Sequence, residues 1–149
     1  MSLSNKELIS KLRNEVNNKF CIVDDNAKNI KKINHILIID DDDISNYVTR
    51  KTLECYNIVN KISVFDDPTK ALEFLKQSKS QPDIILLDIK MPVMDGFQFI
   101  DEFNKLNSKS SIVILSSSVY SKDKDKAKDE GVKYMTKPLK VKTFQKIIE

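Results

Sequence analysis

The chain has 149 residues, 40% of them hydrophobic and 32% charged, enough for one domain with its own core and a short appendage. Its 25 Lys and Arg against 22 Asp and Glu give a net charge of +3, but the lysines are scattered and form no Arg- or aromatic-bearing stripe of the kind that binds nucleic acid. No apolar run reaches the length of a membrane span, the N-terminus lacks the apolar segment of a secretory signal, and Cys21 and Cys55 fit no metal-ligand spacing. These features read as a cytoplasmic protein with two reduced thiols and no direct contact with nucleic acid or membrane.

Residues 1–34 read as an N-terminal extension, helical at about 5–20. Ser4 and Glu7 have the spacing of a capping box, and Leu8, Leu12, Val16 and Phe20 recur on one side with Ile9 beside them. The segment from Phe20 to Asp25 imitates a strand ending on two acids. Only ten residues separate Asp25 from Ile36, too few for a crossover helix between parallel strands, so Asp24 and Asp25 read as turn carboxylates.

From residue 35 strands and helices alternate. The strands are expected at 36–39, 61–65, 84–88, 112–115 and 132–135. The helices are expected at 44–55, from the Asp67-Pro68 cap onward, 96–106, 121–130 and 141–148. The first of these helices is expected to turn Ile44, Val48, Leu53 and Tyr47 inward. Asp42 and Asp43 read as helix-start carboxylates, Asp95 and Gly96 as a turn, and His35 as a surface residue ahead of the first strand. Such alternation predicts an α/β fold, doubly wound, with a parallel sheet covered by helices on both faces.

In an open parallel sheet the ligand crevice lies at the carboxyl ends of the strands. Those ends carry Asp40 and Asp41, Asp88, Ser116 and Lys137. Three carboxylates brought together repel one another unless a cation joins them. Hard oxygen ligands suit Mg²⁺, and a hydroxyl and an ammonium beside them are donors for an incoming anion. Carboxylates, Mg²⁺, a hydroxyl and a lysine describe a site for phosphoryl transfer.

Asp40-Asp41 after Ile36-Leu37-Ile38-Ile39, Leu86-Leu87-Asp88-Ile89-Lys90-Met91-Pro92 with Asp95-Gly96, Ser116-Ser117 after the fourth strand, and Lys137-Pro138 occur in this order. Residues 35–149 thereby resemble a response regulator receiver domain of two-component signalling, in the CheY-like superfamily. The resemblance implies a flavodoxin-like sheet of five strands in the order 2-1-3-4-5, preceded here by a helical extension. It implies a phosphorelay switch rather than an enzyme, one that takes phosphoryl from small donors and loses it by itself. Asp88 would be the phosphoacceptor. Asp40, Asp41, Asp88 and the backbone carbonyl of Lys90 would bind Mg²⁺, with Mn²⁺ as a substitute. Ser116, Ser117, Lys137 and Tyr134 would form the phosphoryl-binding and switch set, with Lys137 pairing with Asp88 at rest and Pro138 following a cis bond. The implied partners are a histidine kinase or phosphotransfer protein and an output partner on the face of residues 121–130, 132–135 and 141–148, with dimerisation open. With no output domain after Glu149, a single-domain regulator is expected. The competing readings are a receiver module of a larger hybrid histidine kinase, a binding module without phosphorylation, and an aspartyl-phosphate phosphatase. The last expects an acid where Lys90 stands.

Overall fold

A computed structural model describes residues 2–19 and 31–149. The elements are α1 (Asn5–Lys19), β1 (Ile33–Ile39), α2 (Asp43–Cys55), β2 (Val59–Phe65), α3 (Pro68–Gln77), β3 (Ile84–Leu87), α4 (Gly96–Asn104), β4 (Ser111–Ser116), α5 (Ser121–Asp129), β5 (Lys133–Thr136) and α6 (Val141–Ile148). The strands form one parallel sheet of five in the order β2-β1-β3-β4-β5.

Strand periodicity sorts the core into two layers. Leu37, Ile39, Ile85, Leu87 and Ile114 point to the face packed by Leu72 and Leu75 of α3, Phe99 and Phe103 of α4 and Ala127 of α5. Ile36, Ile38, Ile84, Leu86, Val113 and Leu115 point to the other face, against Leu53 of α2 and Val141 and Phe144 of α6. Every residue of β3 is buried, as an unbroken aliphatic run between two helical layers requires.

The helix starts follow their caps. Asp42 accepts from the N–H groups of Ile44 and Ser45, Asp67 caps a helix with Pro68 in its first turn, and Asp95 and Gln98 form a reciprocal capping box. In α1 the Glu7 carboxylate accepts from the Ser4 N–H at 2.8 Å and the Ser4 hydroxyl accepts from the Glu7 N–H at 3.3 Å. Leu8, Ile9 and Leu12 are half-buried. The side chain of Val16 and all of residues 20–30, including Cys21, Asp24 and Asp25, lie outside what the structure describes.

Several expectations are corrected. β1 begins at Ile33 and includes His35, which is buried rather than on the surface. Its Nε2 lies 2.9 Å from the Ser63 hydroxyl, and its backbone N–H donates to Asp83. Burial, aided by the Lys61 ammonium, holds the imidazole below its ordinary pKa. The buried face of α2 is Asn46, Thr49, Thr52 and Leu53, while Ile44 is 44% exposed. Of its polar side chains, Asn46 donates to the Asp40 carbonyl of the acidic turn at 2.7 Å and Thr52 donates to the Val48 carbonyl of its own helix at 2.8 Å. Cys55 is not a reduced thiol: it is disulfide-bonded, and among the described residues no cysteine is free.

Candidate functional site

Strand register assembles the site. Ile39 lies opposite Leu87, and the Asp88 N–H donates to the Ile39 carbonyl at 3.0 Å. The residues that follow, Asp40 and Asp88, therefore leave adjacent strands side by side. Leu87 pairs with Ile114 and Ser116 with Thr136, and the Lys137 N–H donates to the Ser116 carbonyl at 2.8 Å. Ser116 and Lys137 thus rise on the same edge, and the Lys137–Pro138 bond is cis.

Carboxylate oxygens of Asp40, Asp41 and Asp88 all lie within 4.8 Å of one another, with Asp40 and Asp88 buried and Asp41 exposed. Asp40 is held at every polar atom. Its N–H donates to the Phe65 carbonyl at 3.1 Å, its carbonyl accepts from Asn46 Nδ2 at 2.7 Å, Oδ1 accepts from the Asp42 N–H at 2.9 Å, and Oδ2 accepts from Lys137 Nζ at 2.6 Å. The same ammonium stands 3.7 Å from Asp88 Oδ1. Lys137 therefore bridges the two buried acids, and its hydrogen bond goes to Asp40 rather than to Asp88. Burial pushes the Asp88 carboxyl up to about 6; Lys137 pulls it back, Asp40 raises it again, the Ile89 N–H lowers it and Asp41 raises it.

Two carboxylates beyond what one ammonium can neutralise, on hard oxygen donors, fit a small divalent cation. Asp42 and Asp43 stay outside this cluster.

The loop after β3 closes the floor. The Gly96 N–H donates to the Ile89 carbonyl at 2.8 Å, and a Cβ on Gly96 would stand 2.6 Å from the Asp88 carbonyl oxygen. Only glycine lets α4 start this close to the loop that carries Asp88. The side chain of Lys90 is exposed, its ammonium 5.3 Å from the centre of the Tyr120 ring.

The remaining residues lie beside the cluster. Ser116 is buried, and its Oγ accepts from the Ser118 N–H at 3.1 Å. Ser117 is exposed. Tyr134 is half-buried and donates its hydroxyl to the Ser118 carbonyl at 2.8 Å. The Ser118 hydroxyl donates to Asp123 in the first turn of α5. The loop 116–120 is thus tied at one end to the site and at the other to β5 and α5. Sequence reading missed the contributions of Asn46, Ser118 and Asp123. No spacing rule marks them, because each acts through a contact formed only in the folded chain.

Comparison with known proteins agrees with this geometry. Residues 36–149 match the response regulator receiver domain, and the chain belongs to that family. It is a two-component signalling receiver domain, and its acidic cluster of Asp40, Asp41 and Asp88 is of the family's phosphoaccepting, metal-binding type. It is 32% identical over 141 residues to the sensor histidine kinase CheAY of Helicobacter pylori, covering 93% of this chain and 17% of that protein. It is 34% identical over 104 residues to hybrid signal transduction histidine kinase D of Dictyostelium discoideum, covering 64% of this chain and 7% of that protein. The chain therefore spans a small part of these kinases. Among solved structures, a two-component response regulator from Cytophaga hutchinsonii superposes with a TM-score of 0.72 at 31% identity, covering 79% of this chain and 96% of that one.

Proposed function

We propose that Asp88 is the phosphoacceptor of this receiver and that residues 35–149 form the receiver unit behind a 1–34 extension. The observation that carries the reading is the convergence of Asp40, Asp41, Asp88 and Lys137 on one sheet edge. An Asp88 carboxylate oxygen attacks phosphorus, the bond from phosphorus to the donor's imidazole nitrogen breaks, and the neutralised imidazole leaves. Lys137 offsets the repulsion between the Asp88 carboxylate and the anionic phosphoryl group. Asp40, Asp41, Asp88 and the Lys90 carbonyl would hold Mg²⁺, which when bound supplies positive charge to the phosphoryl oxygens. Ser117 is small and exposed, leaving the phosphoryl group room.

Phosphorylation then draws on the loop 116–120. Ser116, whose Oγ accepts from the Ser118 N–H, turns to donate its hydroxyl to a phosphoryl oxygen, and Tyr134, tied to the Ser118 carbonyl, follows. The readout face is α5, β5 and α6, where α5 is held by a single buried side chain, Ala127. The donor is a histidine kinase or phosphotransfer protein, in keeping with the kinases among the relatives. Those same relatives favour a second reading, that the receiver works as a segment of a larger kinase. The phosphoryl chemistry is identical in both. No helix among the described residues is long and apolar enough to cross a membrane, and we place the reaction in the cytoplasm, where kinases meet ATP.

Incubation with acetyl phosphate and Mg²⁺ tests the proposal. A phosphoryl mass increment is expected on the intact protein and lost with EDTA or in Asp88→Asn. No increment from acetyl phosphate or from a phosphohistidine donor would favour a binding module without phosphorylation.

A further inference from the structure

Asn46 sits on the buried face of α2, and its side-chain amide reaches the acidic turn. Nδ2 donates to the Asp40 carbonyl at 2.7 Å. That carbonyl belongs to the peptide joining Asp40 to Asp41. Because a peptide is planar, fixing its oxygen fixes the nitrogen and Cα of Asp41 as well. Asp41 depends on this. Its carboxylate is exposed, and among the described residues no hydrogen bond or ion pair holds it. The direction of Asp41 toward Asp88 is therefore set through its backbone.

The other half of the same amide is a liability. Asn46 Oδ1 is buried without a hydrogen-bond partner, which is costly for a carbonyl oxygen. Leucine has the same branched heavy-atom skeleton, with neither the orphan acceptor nor the donor. A choice that violates local satisfaction beside a site is expected where function overrides stability.

We infer that Asn46 is a positioning residue for the acidic cluster: its buried amide fixes the Asp40–Asp41 peptide and thereby sets the affinity of Asp40, Asp41 and Asp88 for Mg²⁺. This rests on the reading of the three acids as a divalent-cation site. It assigns Asn46 no contact with the ion or with the phosphoryl group.

The test titrates Mg²⁺ alone into the full chain, by calorimetry or amide chemical shifts, beside denaturant unfolding in EDTA. Asn46→Leu is expected to weaken Mg²⁺ binding about tenfold, as loss of an outer support of a metal ligand does, with stability close to that of the native protein, because it exchanges the orphan Asn46 Oδ1 for an unpaired Asp40 carbonyl. Thr49→Val, on the same buried face, is expected to leave Mg²⁺ affinity unchanged. In an Asp41→Asn background Asn46→Leu is expected to cause no further loss, because its effect passes through Asp41. Native affinity in Asn46→Leu, or an undiminished further loss in the Asp41→Asn background, would overturn the inference. Should the leucine variant fail to fold, Asn46→Ser carries the same expectations for Mg²⁺ binding. A native protein that binds no Mg²⁺ would overturn the cation-site reading itself and the inference with it, an outcome distinct from native binding that ignores residue 46.

Discussion

Lys137 stands 2.6 Å from Asp40 and 3.7 Å from Asp88. One ammonium thus serves two buried carboxylates and is bonded to the acid we do not assign as phosphoacceptor. This leaves Asp88 the freer of the pair, with its lone pairs available to an incoming phosphorus. Removing one partner of a buried pair leaves an uncompensated charge. Lys137→Met is therefore expected to destabilise the fold by about 2–3 kcal/mol at neutral pH, a figure reduced for the partial exposure of the lysine. Adding Asp40→Asn should restore part of the loss. Denaturant unfolding of the two variants checks this; equal stability of Lys137→Met and the native protein would contradict it.

The pH dependence follows from Asp88. Its carboxyl lies at about 6 against an ordinary 3.8, so the folded protein binds this proton more tightly than the unfolded chain. That contribution is fully present below the unfolded value and is lost as pH rises through about 6. Ionised Asp88 is thus a cost at neutral pH, and Asp88→Asn is expected to be more stable by about 1–3 kcal/mol there. The difference should fade as the pH approaches the ordinary carboxyl value. Thermal unfolding in EDTA across that range measures it; a gap that widened toward acid would have the wrong sign.

Gly96 gives a steric prediction. A Cβ there would press on the Asp88 carbonyl oxygen at 2.6 Å and on Ile89 Cα at 2.9 Å, both backbone atoms. Gly96→Ala is expected to lose about 1–3 kcal/mol, as overpacking does, and to shift the amide resonances of residues 88–90. Native stability and unmoved resonances would show that the loop and α4 separate freely.

The parts of this arrangement legible in the sequence were those that repeat or cap. Ile84 to Leu87 reads as a strand from its unbroken aliphatic run, and Asp42 and Asp67 announce their helices by cap chemistry, whereas Asp95, which reads as a turn residue beside Gly96, is the cap of α4. The acids converge because each follows a strand, which places them on one edge whatever the loops do. The inward face of α2 was not legible. Apolar periodicity selects Ile44 and Val48, but the helix turns Asn46, Thr49 and Thr52 inward, and only the folded acidic turn explains Asn46. His35 was misplaced for a related reason. The stretch Ile33-Asn34-His35 looks too polar for a buried strand, yet β2 pairs with it and Ser63 supplies its hydrogen bond.

The helix α5 buries only Ala127 and has no side-chain cap bond at its N-terminus, so its ties to the body are few, among them the Ser118–Asp123 bond. Its amides are expected to exchange faster than those of α4, which buries Phe97, Phe99, Ile100 and Phe103. Asp123→Ala should accelerate them further. Exchange in α5 as slow as in α4 would contradict a loosely held helix.

The central claim is that phosphoryl settles on Asp88. Borohydride reduces an acyl phosphate to an alcohol, converting a phosphorylated aspartate to homoserine. After treatment with acetyl phosphate and Mg²⁺, peptide mass spectrometry of the reduced protein is expected to find homoserine at position 88 and to leave Asp40 and Asp41 as aspartate. Homoserine at position 40 or 41, or at none of the three in a protein that has gained the phosphoryl mass, would contradict the account.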